Sequence, residues 1–373
     1  MRYVQHCYHL FAFTVFCNLS LGTGHTLALK HDGTVWVAGV NMKGQVGLGA
    51  MMSMMIPKFT KVSPGSVKAV AAGGWHSMVL KKDGSVWSTG KNVYGQLGDG
   101  SNDDRDSFMQ VIARNANAMA AGAEHSLVMM RDGSVWATGL NSHGQLGDGS
   151  TINRNRFLLV ISGSVRALAA GGEHSMLLKK DGSVWVTGEN EYGQLGDKQR
   201  HCSFVQVISS GAKAVAAGSR HSIVLKQGGS VWVTGDNNYG QLGDGSTNIK
   251  NKFQQVIFSG ATAIAAGHDH SMVLKKDGSV WTTGRNNFGQ LGGKSSNTFR
   301  STFLQVISGG VQTLAAGGSH SMVLKRDGSL WVTGSNLYGQ LGDGSMVVKR
   351  NYVRVSLLRD GTLCVVLWVF ITF

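Results

Sequence analysis

Short apolar runs alternate with glycine-containing turns along most of this chain, and the stretch from 253 to 283 shows the pattern clearly. Residues 253–257 are aromatic or β-branched at both ends, and residues 263–266 are small. Residues 270–274 and 279–283 are rich in apolar and β-branched side chains. Short runs of this kind, bounded by Gly, Asp and Ser, are typical of β-strands. The pattern therefore predicts four short strands in this unit.

A hairpin signal separates the last two of these strands, where the chain reads Lys275-Lys276-Asp277-Gly278. Six of the seven copies of this turn keep Asp-Gly, and the fifth copy has Gly228-Gly229 instead. Asp-Gly between two apolar runs favours a type I′ turn, in which both central residues have positive φ. We therefore expect each unit to be an antiparallel meander of four strands.

The unit recurs seven times in a fixed register. Tryptophans are spaced 51, 49, 49, 47, 49 and 50 residues apart, a histidine stands eleven residues before each, and a Gly-Gln-(Leu/Val)-Gly element follows each. The tryptophans are Trp36, Trp87, Trp136, Trp185, Trp232, Trp281 and Trp331. The histidines are His25, His76, His125, His174, His221, His270 and His320. A repeat of this length is the signature of a solenoid or a propeller.

Seven such meanders predict an all-β fold, a seven-bladed β-propeller of four-stranded antiparallel blades. Radial stacking hides the apolar face of each meander and leaves only short, protected edges. The small-residue strand fits a position close to the central axis, and the recurring tryptophan is expected in the interior, sealing one blade against the next. A helical solenoid is excluded because no segment of useful length has a 3.6-residue apolar period.

Composition adds turns and positive charge to this picture. Glycine accounts for 53 of the 373 residues, and 35 Lys and Arg against 21 Asp and Glu give a net charge of +14 and a pI near 9.7. Such a surface attracts anionic partners. The four cysteines, Cys7, Cys17, Cys202 and Cys364, form no C-x-x-C pair, and we expect them to be buried, reduced thiols.

The repeat resembles that of the regulator-of-chromosome-condensation (RCC1) family over residues 22–345. The resemblance rests on the pattern A-x-G-x-x-H-S-x-x-L-x-x-D-G-x-V-W-x-x-G-x-N-x-x-G-Q-L-G, clearest at 217–222 and 237–243. It implies a seven-bladed propeller. The family includes a nucleotide exchange factor for a Ran-type GTPase, ultraviolet photoreceptors, protein inhibitors of enzymes and modules of ubiquitin ligases, so the resemblance indicates the fold more than the function.

The two ends depart from the repeat. We expect the irregular segment 1–21 to form part of the first blade, 22–345 to be seven repeats, and 346–373 to hold a closing strand and a degenerate partial repeat. The resemblance implies closure by a terminal strand pairing into the first blade, which either end could supply. The sequence of residues 10–21 favours a β-strand over a signal peptide, and the apolar stretch 365–373 is too short to span a bilayer. We therefore expect an intracellular protein, cytoplasmic or nuclear, that does not contact a membrane.

Neither of the repeated motifs predicts chemistry. One histidine per blade spreads around a circumference instead of converging on a metal ion, so we expect hydrogen bonds within the blade turns and no metal. The Gly-Gln-Leu-Gly-Asp-Gly-Ser loops lack the Lys and the following helix of a phosphate loop, so they are read as structural turns, and no cofactor is expected.

Charge placement gives the one candidate site. In an antiparallel meander the Lys-Lys-Asp-Gly turns and the Ser-Gly turns before the small-residue strands all lie at one end of the disc. The predicted partner-binding basic face comprises Lys81, Lys82, Arg131, Lys179, Lys180, Lys226, Lys275, Lys276, Lys325 and Arg326. With Lys30, Lys68, Arg166 and Lys213 there are fourteen cations against six aspartates, a net charge of +8. We expect no aromatic side chains to interleave with them; the alternative is that they only keep the surface soluble.

The sequence is compatible with three functions. A non-catalytic scaffold that binds another protein, such as a small GTPase or a ubiquitin-ligase component, requires nothing further, and we expect a monomer with at most weak, non-specific binding of other anions. Guanine-nucleotide exchange on a Ran-type GTPase, or chromatin-associated regulation, is the alternative, although units of 47–51 residues leave no room for an inserted β-wedge. A light sensor is disfavoured because only Trp75 lies in a turn. Catalytic turnover of a small molecule is not expected.

Overall fold

A computed structural model describes residues 18–49, 53–63, 66–293 and 297–355, which form 28 strands in seven sheets. Each sheet holds four antiparallel strands that are adjacent in chain order. The predicted seven-bladed propeller is therefore confirmed. Within the described ranges no helix is long and apolar enough to cross a membrane.

The blades follow one another along the chain, each with an innermost strand first. Blade one is β1 (Asn18–Leu21), β2 (His25–Leu29), β3 (Val35–Val40) and β4 (Met55–Ser63). Blade two is β5 (Val67–Ala72), β6 (His76–Lys81), β7 (Val86–Gly90) and β8 (Arg105–Ile112). Blade three is β9 (Ala116–Ala121), β10 (His125–Met130), β11 (Val135–Gly139) and β12 (Arg154–Ile161). Blade four is β13 (Val165–Ala170), β14 (His174–Lys179), β15 (Val184–Gly188) and β16 (His201–Ile208).

The remaining blades repeat the same order. Blade five is β17 (Ala212–Ala217), β18 (His221–Lys226), β19 (Val231–Gly235) and β20 (Lys250–Ile257). Blade six is β21 (Ala261–Ala266), β22 (His270–Lys275), β23 (Val280–Arg285) and β24 (Phe299–Ile307). Blade seven is β25 (Val311–Ala316), β26 (His320–Lys325), β27 (Leu330–Gly334) and β28 (Lys349–Arg354).

The small-residue strands surround the central axis, as predicted. Each innermost strand contacts the innermost strands of the blades on either side, and alanines from all of them except β1 line the channel between them.

The blades begin one strand later in the chain than the unit interpreted from the sequence. Residues 253–257 belong to β20, which pairs with β19 as the outermost strand of blade five. The link 258–260 then leads to β21 of blade six, and β20 and β21 share no sheet. The Ser-Gly turn that follows 253–257 is therefore a passage between blades and not a hairpin. The four predicted strands exist, but the first belongs to the preceding blade.

The Asp-Gly hairpins are three-residue turns, so the type I′ assignment was wrong. In blade two the Lys81 N–H donates to the Ser85 carbonyl at 2.9 Å and the Gly84 N–H to the Lys81 carbonyl at 3.0 Å. Only Gly84 has positive φ, at 85°. Asp83 keeps an ordinary φ because its carboxylate accepts hydrogen bonds from the backbone N–H and hydroxyl of Ser85, at 2.8 and 2.7 Å. A type I turn followed by a left-handed glycine has this geometry.

A buried hydrogen-bond relay joins each blade to the next. The His125 Nε2 atom of blade three lies 2.9 Å from the Ser175 Oγ atom of blade four. The Ser175 hydroxyl donates to the Gln145 carbonyl of blade three, at 2.7 Å. Since that hydroxyl has only one proton, it accepts from the imidazole, which fixes the Nε2–H tautomer. The predicted structural role of the histidines is right, but their partner lies in the neighbouring blade and not in their own turn.

The same relay occurs at all seven junctions. The histidine Nε2 atoms lie 2.9 Å from the hydroxyl oxygens at six junctions and 3.2 Å at the seventh. Burial lowers the pKa of each of these histidines to about 3 to 4, so they are neutral at ordinary pH. The pairs are His25–Ser77, His76–Ser126, His125–Ser175, His174–Ser222, His221–Ser271, His270–Ser321 and His320–Thr26.

Blade seven closes on blade one through this relay, and among the described residues the two blades exchange no strand. The N-terminal segment supplies β1 to blade one, and β28 pairs with β27 to complete blade seven instead of crossing over. The Thr26 hydroxyl donates to the Gln340 carbonyl at 2.7 Å, and the Gly318 N–H donates to the Gly22 carbonyl at 3.1 Å. Residues 1–17 and the rest of the expected partial repeat, 356–373, lie outside the described residues.

Removing the relay hydroxyl should lower the free energy of unfolding as much at the junction of blades seven and one as at any other junction. We expect Thr26→Val and Ser126→Ala each to lower the free energy of unfolding by about 1–3 kcal/mol, because each leaves a buried imidazole N–H and a carbonyl without a partner. Ser210→Ala, which removes an exposed hydroxyl, serves as the control and should be neutral. Urea unfolding measures all three, and a neutral Thr26→Val would contradict closure through this contact.

Candidate docking face

The Lys-Lys-Asp-Gly turns and the links between blades lie at one end of the disc, as the sequence predicted. In blade two the Gly84 carbonyl accepts the N–H of Ala116, at the start of blade three, at 3.0 Å. The Lys82 N–H donates to the carbonyl of Ser66, in the link from blade one, at 2.8 Å. The turn of each blade is thus fixed to the neighbouring links, and we call the surface they form the Lys-turn face.

The cations of this face occupy two kinds of position. The first residue of a turn is half-buried, and its Nζ atom lies over the tryptophan ring of its own blade, 3.7 Å from the centroid for Lys179 and 4.4 Å for Lys325. Six blades have this pair, at Lys30–Trp36, Lys81–Trp87, Lys179–Trp185, Lys226–Trp232, Lys275–Trp281 and Lys325–Trp331. The second residue is exposed in five blades, as Lys82, Arg131, Lys180, Lys276 and Arg326.

The tryptophans reach the surface, which corrects two expectations. Trp87 packs against the apolar cluster between blades one and two, as expected for a residue that seals blades, but its ring is only partly buried. Its Nε1–H donates to the Ser85 hydroxyl at 3.1 Å, and that hydroxyl donates to Asp83. Aromatic rings therefore do interleave with the cations. The spacing in the sequence located the ring within the blade but not its distance from the surface.

The aspartates of the turns are held in structural hydrogen bonds. The side-chain and backbone hydrogen bonds from Ser85, followed by the charge of Lys81, lower the pKa of the Asp83 carboxyl. Each turn is thus a Lys–Trp–Ser–Asp unit in which the carboxylate orders the backbone. Blades three and five depart from it, because Met130 stands in the lysine position of blade three and Gly228 in the aspartate position of blade five.

Three further predicted cations line the channel mouth at this end. Lys68, Arg166 and Lys213 are each the second residue of an innermost strand. The Lys68 ammonium donates to the Asn117 side chain at 3.2 Å, and the Arg166 guanidinium donates to the Ala212 carbonyl at 2.8 Å. Burial, and then the nearby charge of Arg131, lowers the pKa of Lys68. Like charges therefore lie close together here.

Two exposed residues of the Lys-turn face were not predicted from the sequence. Arg114 and Phe258 are both exposed in links between blades, and 82% of the Phe258 side chain is accessible. The carbonyl of Gly260, two residues after Phe258, accepts the Lys276 N–H at 2.9 Å, so the link that carries Phe258 is bonded to the turn of Lys276. Comparing the copies would have found it, because Phe258 stands where Ser162, Ser209 and Ser308 stand in other links.

Four basic residues at the opposite end of the disc are neutralised by loop aspartates. Arg105 lies 2.9 Å from Asp99, Arg154 lies 2.7 Å from Asp148, and the pairs Lys250–Asp244 and Lys349–Asp343 repeat the contact. These aspartates also accept hydrogen bonds from the loop serines, which agrees with the structural reading of the Gly-Asp-Gly-Ser loops. By contrast, the five exposed second-position cations make no ion pair with any residue in the described ranges.

The opposite end also holds two features that the sequence analysis did not anticipate. His143, Glu173 and Glu189 bring a ring nitrogen and two carboxylate oxygens within 4.8 Å of one another, and they are the one such group in the described part of the chain. Cys202 is a free thiol but only partly buried, so the expectation of burial was wrong for it. The other three cysteines lie outside the described residues.

The fold and its junctions define a closed propeller of RCC1 type. A model of the RCC1-like domain matches residues 5–260, and models of the RCC1 repeat match 261–290, 311–340 and 277–324. The chain belongs to the RCC1-like domain family.

Curated relatives resemble this chain over about a quarter of its length. The X-linked retinitis pigmentosa GTPase regulator of Mus musculus is 38% identical over 95 residues, 25% of this chain and 10% of that protein. Ultraviolet-B receptor UVR8 of Arabidopsis thaliana is 33% identical over 94 residues, 25% of this chain and 21% of the receptor. Probable E3 ubiquitin-protein ligase HERC3 of Homo sapiens is 41% identical over 95 residues, 25% of this chain and 9% of the ligase. The chain thus matches between 9% and 21% of the length of each relative.

Solved structures share the whole fold at low identity. Prp20p from Saccharomyces cerevisiae superposes with a TM-score of 0.80 and 19% identity, over 96% of this chain and 91% of Prp20p. Human WBSCR16 superposes with a TM-score of 0.77 and 22% identity, over 87% of this chain and 94% of that protein. At this identity the likeness establishes the architecture alone.

The lysine–tryptophan contact should be measurable as a coupling energy. In a double-mutant cycle of Lys179→Met and Trp185→Leu we expect a coupling of about 0.5–1 kcal/mol in the free energy of unfolding, since the ammonium lies over the ring face. The matched cycle of Lys180→Met with Trp185→Leu should give a coupling close to zero, because Lys180 is exposed beside the same turn. Equal couplings from urea unfolding would contradict the arrangement.

Proposed function

We propose that this protein is a non-catalytic scaffold that docks an acidic surface of another protein on its Lys-turn face. One observation carries the proposal: five exposed cations that make no ion pair with a described residue lie on the same face as six half-buried lysines held over tryptophans. The corresponding basic residues at the opposite end are paired with loop aspartates. Positive charge that no described carboxylate neutralises is therefore available on this face to attract an acidic partner.

The rigidity of the face favours recognition of a partner. Each turn is fixed by its own Asp–Ser hydrogen bonds and by backbone hydrogen bonds to a link, so few backbone degrees of freedom are lost on binding. The aliphatic part of each stacked lysine packs on indole, which limits its rotamers. Phe258 adds one exposed aromatic side chain in the link that is bonded to the Lys276 turn, and aromatic residues of this kind anchor protein interfaces.

A protein partner is favoured over nucleic acid by the state of the aromatic rings. Proteins that bind single strands stack bases on exposed aromatic faces. Here six tryptophan faces are already covered by lysines of the same blades. The cations also form a closed ring about the disc axis, which matches a compact acidic surface better than the linear track of a nucleic-acid backbone.

Guanine-nucleotide exchange on a Ran-type GTPase is the second candidate. The likeness to Prp20p supports it, because that protein has binding properties toward Gsp1p and histones. The similarity to a GTPase regulator points the same way. A scaffold role as a module of a larger assembly is equally consistent with the likeness to HERC3. The two candidates differ in one observable, the dependence of partner binding on the nucleotide.

Charge reversal of the exposed cations tests the docking face. We expect the quadruple change of Lys82, Lys180, Lys276 and Arg326 to Glu to weaken binding of a labelled peptide rich in Asp and Glu by at least ~100-fold, because attraction becomes repulsion. None of the four lies over a tryptophan, so the fold should persist. Fluorescence anisotropy at low and raised salt gives the affinities.

A matched quadruple at the other end is the control. Lys198, Arg200, Lys252 and Arg350 are also exposed, and their reversal to Glu removes the same charge but should weaken binding much less. Equal loss with both quadruples would show that net charge alone matters and would overturn the proposal, as would tighter binding of single-stranded DNA than of the peptide. Selective retention of a nucleotide-free Ran-type GTPase would instead favour exchange.

A further inference from the structure

A histidine lies between two carboxylates at the junction of blades three and four, on the end of the disc opposite the Lys-turn face. The His143 Nε2 atom lies 3.0 Å from the Glu189 carboxylate, and its Nδ1 atom lies 3.2 Å from the Glu173 carboxylate. His143 belongs to the Gly-Gln-Leu-Gly loop of blade three, whereas both glutamates belong to blade four. The group therefore bridges two blades.

One carboxylate of the group is held in place by the backbone. The Glu189 Oε1 atom accepts the N–H groups of Asn190 and Glu191 at 2.8 and 2.7 Å, so its second oxygen is left to face His143. The His143 Nδ1 atom also lies 3.1 Å from the Ser142 hydroxyl. Fixing a carboxylate and an imidazole by such outer contacts is the usual arrangement around metal ligands.

The charge at this junction differs from that at the equivalent junctions. Between blades two and three, Lys91 pairs with Glu124 at 2.6 Å, and within blade six Arg285 pairs with Asp269 at 3.1 Å. Between blades three and four the two glutamates make no ion pair with any described Lys or Arg, and both contact the one imidazole. With a neutral imidazole, two negative charges lie together, partly buried and uncompensated.

We propose that His143, Glu173 and Glu189 bind a divalent zinc ion that ties blade three to blade four. One imidazole nitrogen and two carboxylate oxygens are a donor set that zinc accepts, with bonds of about 2.0–2.2 Å, and water completes the tetrahedron. The three donor atoms already lie within 4.8 Å of one another, and metal binding through Nε2 requires the partly exposed Glu173 carboxylate, now 3.2 Å from Nδ1, to turn toward the Nε2 side of the ring. The Nδ1–H can then donate to Ser142 while Nε2 binds the metal.

The repeat itself provides a variant that removes the site without harming the fold. Tyr94, Tyr192, Tyr239 and Tyr338 stand at the position of His143 in other blades, so His143→Tyr restores the residue that this loop holds elsewhere. The control is His201→Arg, which removes another partly buried surface histidine. Arginine suits that position because Arg105 and Arg154 pair with the loop aspartate at the equivalent sites, as His201 does with Asp197.

Isothermal titration of the full chain with zinc chloride tests the proposal. We expect the unaltered chain and His201→Arg to bind one equivalent more than His143→Tyr, with Glu189→Gln weakening that equivalent at least ~10-fold. Counting the difference is necessary because His6, Cys7 and His9 can bind zinc elsewhere in the same chain. Zinc should also raise the unfolding temperature of the unaltered chain more than that of His143→Tyr.

Cobalt(II) supplies an independent readout. Bound through one nitrogen and two oxygens in a four-coordinate site, it should give visible d–d absorption that His143→Tyr lacks and His201→Arg retains. The same stoichiometry, affinity and spectrum in His143→Tyr and in the unaltered chain would overturn the proposal. That outcome would leave the three residues as an inter-blade ion pair only.

Discussion

The hydrogen bond from each buried imidazole to the hydroxyl of the next blade is the contact on which this structure depends. It determines the signature around it: the glycine three residues before each histidine has no room for a Cβ, which would meet the imidazole, and the following Ser or Thr receives the preceding blade's imidazole. The glutamine of each Gly-Gln-Leu-Gly element supplies the carbonyl that accepts the hydroxyl proton. Three separated motifs in the sequence are thus one interaction repeated around a ring.

A ring held in this way separates stability from recognition. The relays lie toward the end of the disc that carries the Gly-Gln-Leu-Gly loops, and the Lys-turns lie at the other end. Residues of the turns and links can change without disturbing a junction, as Met130 and Phe258 show. The same holds for loop positions such as His143, where tyrosine is the usual residue. This separation explains how one fold provides different surfaces, and it places both proposed sites away from the relay contacts that join the blades.

The sequence was sufficient for the architecture and for the end of the disc on which the cations collect, because spacing and turn residues determine both. It was insufficient wherever a contact crosses between blades. The partner of His125 lies 50 residues away, and only the radial packing brings Ser175 to it. The first strand of each unit was assigned to the wrong blade for the same reason. Nothing in residues 253–260 shows whether the strand that follows β20 pairs with it or begins the next blade. The partial exposure of Trp87 depends on how far its ring lies from the surface of the disc, and the contact of His143 with Glu189 depends on the packing of the neighbouring blade.

The protonation state of the relay histidines tests this account most directly. An unfolded histidine takes up a proton near pH 6.5, whereas burial holds the pKa of the relay histidines at about 3 to 4, so stability gained above pH 6.5 is lost as the pH falls toward those values. Nitrogen-15 NMR of the imidazoles at pH 7 and pH 5 resolves both charge and tautomer. The account requires seven of the thirteen histidines to remain neutral at pH 5 with the proton on Nε2. Titration of these seven near pH 6.5, or a proton on Nδ1, would contradict it.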